Sequence, residues 1–149
     1  MTIELINSTH TEAVAGLLKA HIRGGGHTSS LKLAQATSNP HWIGLQCTQG
    51  AAVIGAIIGQ CVSDQAEIHE IAVSPEERRK GIASALVDAF SNAASARGAR
   101  TCFLEVRQKN TGAVMMYQRT GFVQCGIREA YYADGEHAIV MSRTLEPKP

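Results

Sequence analysis

No two of the four cysteines, Cys47, Cys61, Cys102 and Cys125, form a C-x-x-C pair, which removes the common thiol-exchange and zinc-binding arrangements. All four fall in segments that read as strands, where they are expected to be reduced thiols acting as small apolar core side chains. Long apolar runs are missing too: the longest, Ala51 to Gly59, is far too short to span a bilayer. Met1-Thr2-Ile3-Glu4-Leu5 has no basic stretch followed by an apolar core, so no signal peptide is expected and the protein reads as cytoplasmic. Neither sign of charge dominates, because 14 basic residues meet 13 acidic ones; a dedicated nucleic-acid binder usually carries a basic surplus. His10, His21, His27 and His41 show no metal-ligand spacing, and no metal is expected. Also absent are the phosphate loops G-x-x-x-x-G-K-S/T and, after a strand, G-x-G-x-x-G.

What is present fits one domain over residues 1–149, long enough to bury a core. Strands are expected at 2–7, 42–48, 52–62, 65–73, 100–106, 122–131 and 137–145, and helices at 9–22, 30–36, 82–97 and 110–119. Arg23-Gly24-Gly25-Gly26-His27-Thr28-Ser29-Ser30 reads as a mobile loop or hinge, since three consecutive glycines cost backbone entropy to order. Asp134-Gly135, between the last two strands, is a hairpin signal. The order β-α-α-β-β-β-α-β-α-β-β is an α/β pattern, with a mixed sheet and helices on both faces.

Within that pattern, Arg78-Arg79-Lys80-Gly81-Ile82-Ala83 lies between an apolar strand and a long amphipathic helix. Ile82, Leu86, Phe90 and Ala94 mark one face of that helix. A cationic turn with a glycine at a helix N-terminus suits an anion, because the first backbone N–H groups lack helical partners. In a nearly neutral chain, this local basic cluster points to one phosphorylated ligand.

Arg78-x-x-Gly81-x-Ala83 resembles the pyrophosphate signature Q/R-x-x-G-x-G/A of the Gcn5-related N-acetyltransferases (GNAT). A second block is more specific. Leu104-Glu105-Val106-Arg107 with Asn110, then Ala113, Tyr117, Gly121 and Phe122, resembles the family's L-E-V-R-x-x-N…A-x-x-x-Y-x-x-x-G-F signature. The ending Tyr131-Tyr132-Ala133-Asp134-Gly135-Glu136 looks like the branch that acetylates protein N-termini, ribosomal-protein alanine acetyltransferases included. The resemblance implies the GNAT fold, a mostly antiparallel sheet of about seven strands, and direct transfer from acetyl-CoA to an amine.

It also implies roles for particular residues. Backbone amides of Ile71, Ala72 and Val73 would hold the pantetheine arm. Residues Arg78, Arg79, Lys80, Gly81, Ile82, Ala83 and Ser84 would hold the pyrophosphate, with Asn110 touching the cofactor from the far side. Tyr117 would be the general acid, and Tyr131 and Tyr132 a wall of the peptide cleft.

Glu105 is a candidate proton acceptor on the residues themselves, since an unpaired carboxylate inside an apolar strand is costly; the alternative is an ion pair with Arg107 or Arg128. Glu70, on the strand before Ile71, is the rival. His69 lines the cleft or sits in the core.

The expected acceptor is a protein N-terminal α-amine. A small-molecule amine, a lysine side chain, and a non-catalytic CoA-binding module stay open beside it, with a monomer or homodimer and no nucleic-acid or membrane partner. One departure bears on the acceptor. The branch carries Phe-Pro or Leu-Pro between its first two helices, and here that stretch is Ile22-Arg23-Gly24-Gly25-Gly26-His27-Thr28.

Overall fold

A computed structural model of the chain describes the backbone of residues 1–21 and 26–146 and the side chains of residues 1–20 and 31–146. The strands are β1 (Thr2–Leu5), β2 (Trp42–Gln49), β3 (Ala52–Val62), β4 (Gln65–Val73), β5 (Thr101–Arg107), β6 (Val123–Arg128) and β7 (Ala138–Thr144). The helices are α1 (Thr11–His21), α2 (Gly26–Ser38), α3 (Ile82–Ala96) and α4 (Thr111–Arg119). The seven strands form one sheet in the order β1-β2-β3-β4-β5-β7-β6.

Neighbours run antiparallel except β4 and β5. A parallel pair needs a crossover, and α3 is that crossover. β7 inserts between β5 and β6, so the last two strands form an antiparallel ladder on the far side of β5.

Helices cover both faces because the strands alternate. Ile57 of β3 joins Leu86, Val87 and Phe90 of α3, together with Tyr117 and Phe122, in the larger core. Ala56 and Ile58 point the other way, against Val14, Leu17 and Leu18 of α1 and Leu33 of α2. On α3 the predicted stripe is the buried one: Ile82, Leu86, Phe90 and Ala94 are 4% exposed or less.

Three expectations need correction. Helix α2 begins at Gly26, so residues 26–30 of the expected loop are helical, while Arg23, Gly24 and Gly25 lie outside the described residues. Gly, Thr and Ser are weak helix formers, but Leu33 and Ala36 pack on the sheet, and burial of that face outweighs propensity. Second, Cys125 is exposed on the edge strand β6, whereas Cys47, Cys61 and Cys102 are buried as expected.

Third, Asp134-Gly135 is not a two-residue hairpin joining β6 to β7. The connection spans 129–137, and Asp134-Gly135 turns inside it, with the Gly135 N–H donating to Tyr132 O at 2.8 Å. The acidic side chains of this segment are drawn onto β5, as described below.

β4 bends at His69. Ile58 pairs with Glu70 and Gly59 with Ile68, which leaves His69 as the extra residue of a bulge. Such a residue disrupts the ladder and bends the strand. The pairing of β4 with β5 stops at Ile68↔Leu104, although β4 continues to Val73 and β5 to Arg107. Beyond the bulge the two strands diverge.

Opposite the bulge, Gly59 is required by space. A Cβ there would lie 2.2 Å from Glu67 O and 2.5 Å from the Phe90 ring.

Candidate active site

The divergence of β4 and β5 leaves residues 70–73 paired with β3 on one side only. Ile71, Ala72 and Val73 belong to this stretch, and Ala72 and Val73 are buried. Buried backbone amides seek a partner, so this is a place where the amides of a ligand's arm can complete a strand edge. These are the three residues the sequence resemblance named, and beyond the bulge their edge is not paired with β5.

From Val73 the chain passes through a 3₁₀ turn, Pro75–Glu77, to Arg78, Arg79 and Lys80 at the start of α3. Arg79 and Gly81 both have positive φ, 66° and 80°. Non-glycine residues visit this region rarely, so the turn into α3 is a constrained one. Gly81 is the N-cap of α3 and has no capping side chain. The first N–H with a partner in the helix is that of Ala85, which donates to Gly81 O at 3.0 Å.

The N–H groups of Ile82, Ala83 and Ser84 therefore precede the first helical bond, at the positive end of the helix dipole. A Cβ on Gly81 would meet nothing within 4 Å, so the approach is open. Arg78 and Arg79 are exposed beside it. Lys80 is exposed as well, but its Nζ sits 3.0 Å from Glu77 Oε2, so its charge already has a local partner.

On β5, Cys102, Leu104 and Val106 are buried against the α3 side, and Phe103, Glu105 and Arg107 face away from it. Glu105 has a side chain 19% exposed, with Arg128 Nε 3.2 Å from its Oε2. That oxygen is buried and makes no hydrogen bond, so the guanidinium is near it without bonding geometry. Of the two pairings open from the sequence, Arg128 is the one found; Arg107 turns to Asp134 and Glu136.

Glu105 and Arg128 line an open cleft of about 410 Å³ together with Gln60, Glu67, Phe103 and Val140. Tyr131 stands beside the same carboxylate. Its partial burial, and then the negative charge of Glu105, push its phenol above 10.

Glu70 also faces away from α3, past the bulge. It is almost fully buried, with Lys32 Nζ of α2 3.6 Å from Oε1. His69 sits near both carboxylate sites. Burial first, then the Lys32 cation, lower its imidazole to about 4 against the opposing pull of Glu105, so it is neutral at pH 7. It stacks on Trp42 with centroids 5.1 Å apart, and its Nε2 lies 2.7 Å from Gln60 Oε1. His69 is thus half-buried and reaches the cleft through Gln60, which lines it.

Tyr117 lies on the other side of the sheet, in the core under α3 and α4. Its ring meets Phe122 edge-on at 5.8 Å. Burial, reinforced by Cys102 and Tyr132, pushes its phenol far above 10, so it keeps its proton wherever the fold exists. Asn110 is the N-cap of α4, its Oδ1 accepting the Ala113 N–H at 3.3 Å.

Tyr131 and Tyr132 meet edge-on at 5.2 Å in the 129–137 segment. The Arg107 guanidinium carbon lies 4.0 Å from the Tyr132 ring centre. Sequence reasoning did not find the Arg107 contacts or the pairing of Lys32 with Glu70. Each joins residues far apart in the chain, and only the charged residue types themselves could have hinted at them.

The sequence profile of the Acetyltransferase (GNAT) family matches residues 12–122. Ribosomal protein bS18-alanine N-acetyltransferase of Escherichia coli is 34% identical over 127 residues, 82% of this chain and 86% of that protein. An N-alpha-acetyltransferase of Saccharolobus solfataricus is 41% identical over 76 residues, 50% of this chain and 46% of that one. The crystal structure of the ribosomal-protein-S18-alanine N-acetyltransferase from Escherichia coli superposes with a TM-score of 0.84 at 28% identity, covering 99% of this chain and 96% of that one. With its diverging β4 and β5, its uncapped α3 and this match over most of its length, the chain belongs to the GNAT family of acetyltransferases and transfers an acetyl group from acetyl-CoA to an amine.

Proposed function

We propose that the acceptor is the α-amine of a protein N-terminus, with Glu105 as proton acceptor and Tyr117 as proton donor. The observation that carries this reading is the Glu105 carboxylate set beside Tyr131 on an open cleft. An extended peptide can enter such a cleft amine first. Two similar proteins, named as a ribosomal-protein alanine N-acetyltransferase and an N-alpha-acetyltransferase, add support. An acceptor of that kind places the reaction in the cytoplasm. Among the described residues no helix is long and apolar enough to cross a membrane.

The backbone arrangement fits the cosubstrate. Amides of Ile71, Ala72 and Val73 would hold the pantetheine arm, and those of Ile82, Ala83 and Ser84 the pyrophosphate. Arg78 and Arg79 add positive charge around Gly81, and Asn110 closes the site from α4. Acetyl-CoA, when bound, supplies the thioester carbonyl and the sulfur leaving group.

An α-amine has a pKa near ~8, so part of it is neutral at pH 7, whereas a lysine side chain at ~10.4 is almost wholly charged. Glu105 takes the remaining proton, directly or through a water. Tyr117 holds a proton at every relevant pH and gives it to the departing sulfur.

Both candidate carboxylates face a cation, but in different surroundings. Arg128 is 58% exposed and screened by solvent. Lys32 and Glu70 are enclosed, with side chains 27% and 5% exposed, so an entering amine reaches Glu105 more readily than Glu70.

Thiol release from acetyl-CoA across a peptide panel tests the reading. Turnover is expected with free Ala- or Ser-starting peptides and not with N-terminally blocked lysine peptides. Glu105→Gln should lower kcat by roughly 100-fold or more, and Glu70→Gln by clearly less. Turnover confined to polyamines or other small amines, or thiol release from none of these acceptors with CoA still bound, would overturn the acceptor assignment.

A further inference from the structure

The 129–137 segment, which carries both tyrosines, is tied to the C-terminal end of β5 by a connected set of contacts. Arg107 Nη1 donates to Asp134 at 2.9 Å and to Glu136 Oε1 at 3.0 Å. Its guanidinium lies against the Tyr132 ring, 4.0 Å from the centre. The other oxygen of Glu136 accepts the Lys109 N–H at 2.9 Å. The segment closes on itself as well: the Ala130 N–H donates to His137 Nδ1 at 2.8 Å, and the Tyr132 N–H to Glu136 O at 3.2 Å.

Ala130, immediately before the tyrosines, is held at φ 48°. A non-glycine residue keeps such a conformation only where its surroundings over-determine it. These contacts are the surroundings. One arginine does three things here: it pairs with two carboxylates, it backs an aromatic ring, and it belongs to the strand that carries Glu105. Glu105 and Arg107 are two residues apart, on the same face of β5. The Arg107 side chain is 20% exposed and that of Glu136 9%, so both side chains are largely covered. Both acids are reached from one guanidinium nitrogen, Nη1, which leaves the guanidinium plane to lie over the Tyr132 ring.

We propose that Arg107 is the positioning residue that fixes the Tyr131–Tyr132 wall to the strand bearing Glu105, so that selection of the acceptor depends on it and binding of acetyl-CoA does not. The inference rests on the peptide-acceptor reading above. Arg107 lies on the face of β5 opposite Leu104 and Val106, away from the α3 turn, so its loss leaves the Gly81 region untouched. Its loss frees the 129–137 segment, and a peptide amine then arrives out of line with Glu105. A misplacement of about 1 Å can cost up to ~100-fold in rate.

Arg107→Met, which keeps chain length and loses the charge, provides the test, with Glu136→Gln as the milder variant should the first fold poorly. Amide hydrogen exchange across 129–137 should quicken by about tenfold or more in Arg107→Met. The peptide KM should rise by about tenfold while the acetyl-CoA KM stays within twofold, and Arg107→Lys should fall between. Unchanged exchange would overturn the anchoring. Faster exchange with an unchanged peptide KM, or an acetyl-CoA KM that rises in parallel, would overturn the claim on acceptor selection. If the unmodified protein acetylates only small amines, the peptide reading fails on its own. The exchange experiment then still decides whether Arg107 orders the tyrosines.

Discussion

Arg128 brings its Nε to 3.2 Å from Glu105 Oε2, and no hydrogen bond joins them. The cation is half out in solvent and the carboxylate is mostly covered. Such a pair is worth about 1 kcal/mol or less to the fold, so its significance lies in what shares the cleft. An acceptor amine enters largely as an ammonium ion and meets Arg128 as a like charge. Arg128→Gln is expected to leave the urea midpoint nearly unchanged and to lower the peptide KM severalfold, most clearly at low salt. A KM that rises would show instead that Arg128 holds the acceptor.

Tyr117→Phe removes a proton donor and little else, since the ring keeps its edge contact with Phe122. The expected result is a kcat lower by about 100-fold with CoA affinity within twofold. Because burial pushes the phenol above 10, Tyr117 should contribute no alkaline limb to the unmodified enzyme below that pH. Full-speed turnover in the Phe variant would remove Tyr117 from the chemistry.

Gly59→Ala would set a methyl group 2.2 Å from Glu67 O and 2.5 Å from the Phe90 ring. A backbone oxygen in a sheet cannot step aside, so the strands must part at the point where β4 bulges. A loss of about 3 kcal/mol is expected, read as the shift of the urea midpoint at constant slope.

His69 ties the stability of the fold to acid pH. Its folded pKa, about 4, lies below the ordinary 6.5, so on acidification the unfolded chain takes up the proton first. Stability is therefore whole above pH 6.5 and is lost as the pH falls toward 4. The full shift corresponds to ~3 kcal/mol, and partial exposure reduces it to about 1–2 kcal/mol. Urea midpoints at pH 7 and pH 4.5 should differ more for the unmodified protein than for His69→Gln. Equal differences would mean that the imidazole is not desolvated.

The elements most legible in the sequence were those fixed by local pattern. Ile82, Leu86, Phe90 and Ala94 announce α3, and the alternation of Cys102, Leu104 and Val106 announces a strand with Glu105 on its other face. Asn110 announces the start of α4 by the chemistry of its side chain. What stayed hidden depends on partners distant in the chain. No local pattern says that β7 lies between β5 and β6, that His69 is one residue too many for its ladder, or that Arg107 reaches Asp134 and not Glu105. Cys125 misled because a strand residue is buried only when something covers its strand, and β6 is an edge. Gly26 to Ser30 misled because composition suggested a loop where the packing of α2 dictated helix.

The sheet is nearly two leaves. Four residue pairs, Gln65↔Thr101 through Ile68↔Leu104, join the β1–β4 leaf to the β5–β7–β6 leaf, with α3 as the covalent strap between them. A cosubstrate seated beyond Ile68 as proposed would be a rivet as well as a reactant, bonded to the free edge of β4 in one leaf and meeting Asn110 at the start of α4, which follows β5 of the other. Its binding raises the stability of the closed sheet by mass action.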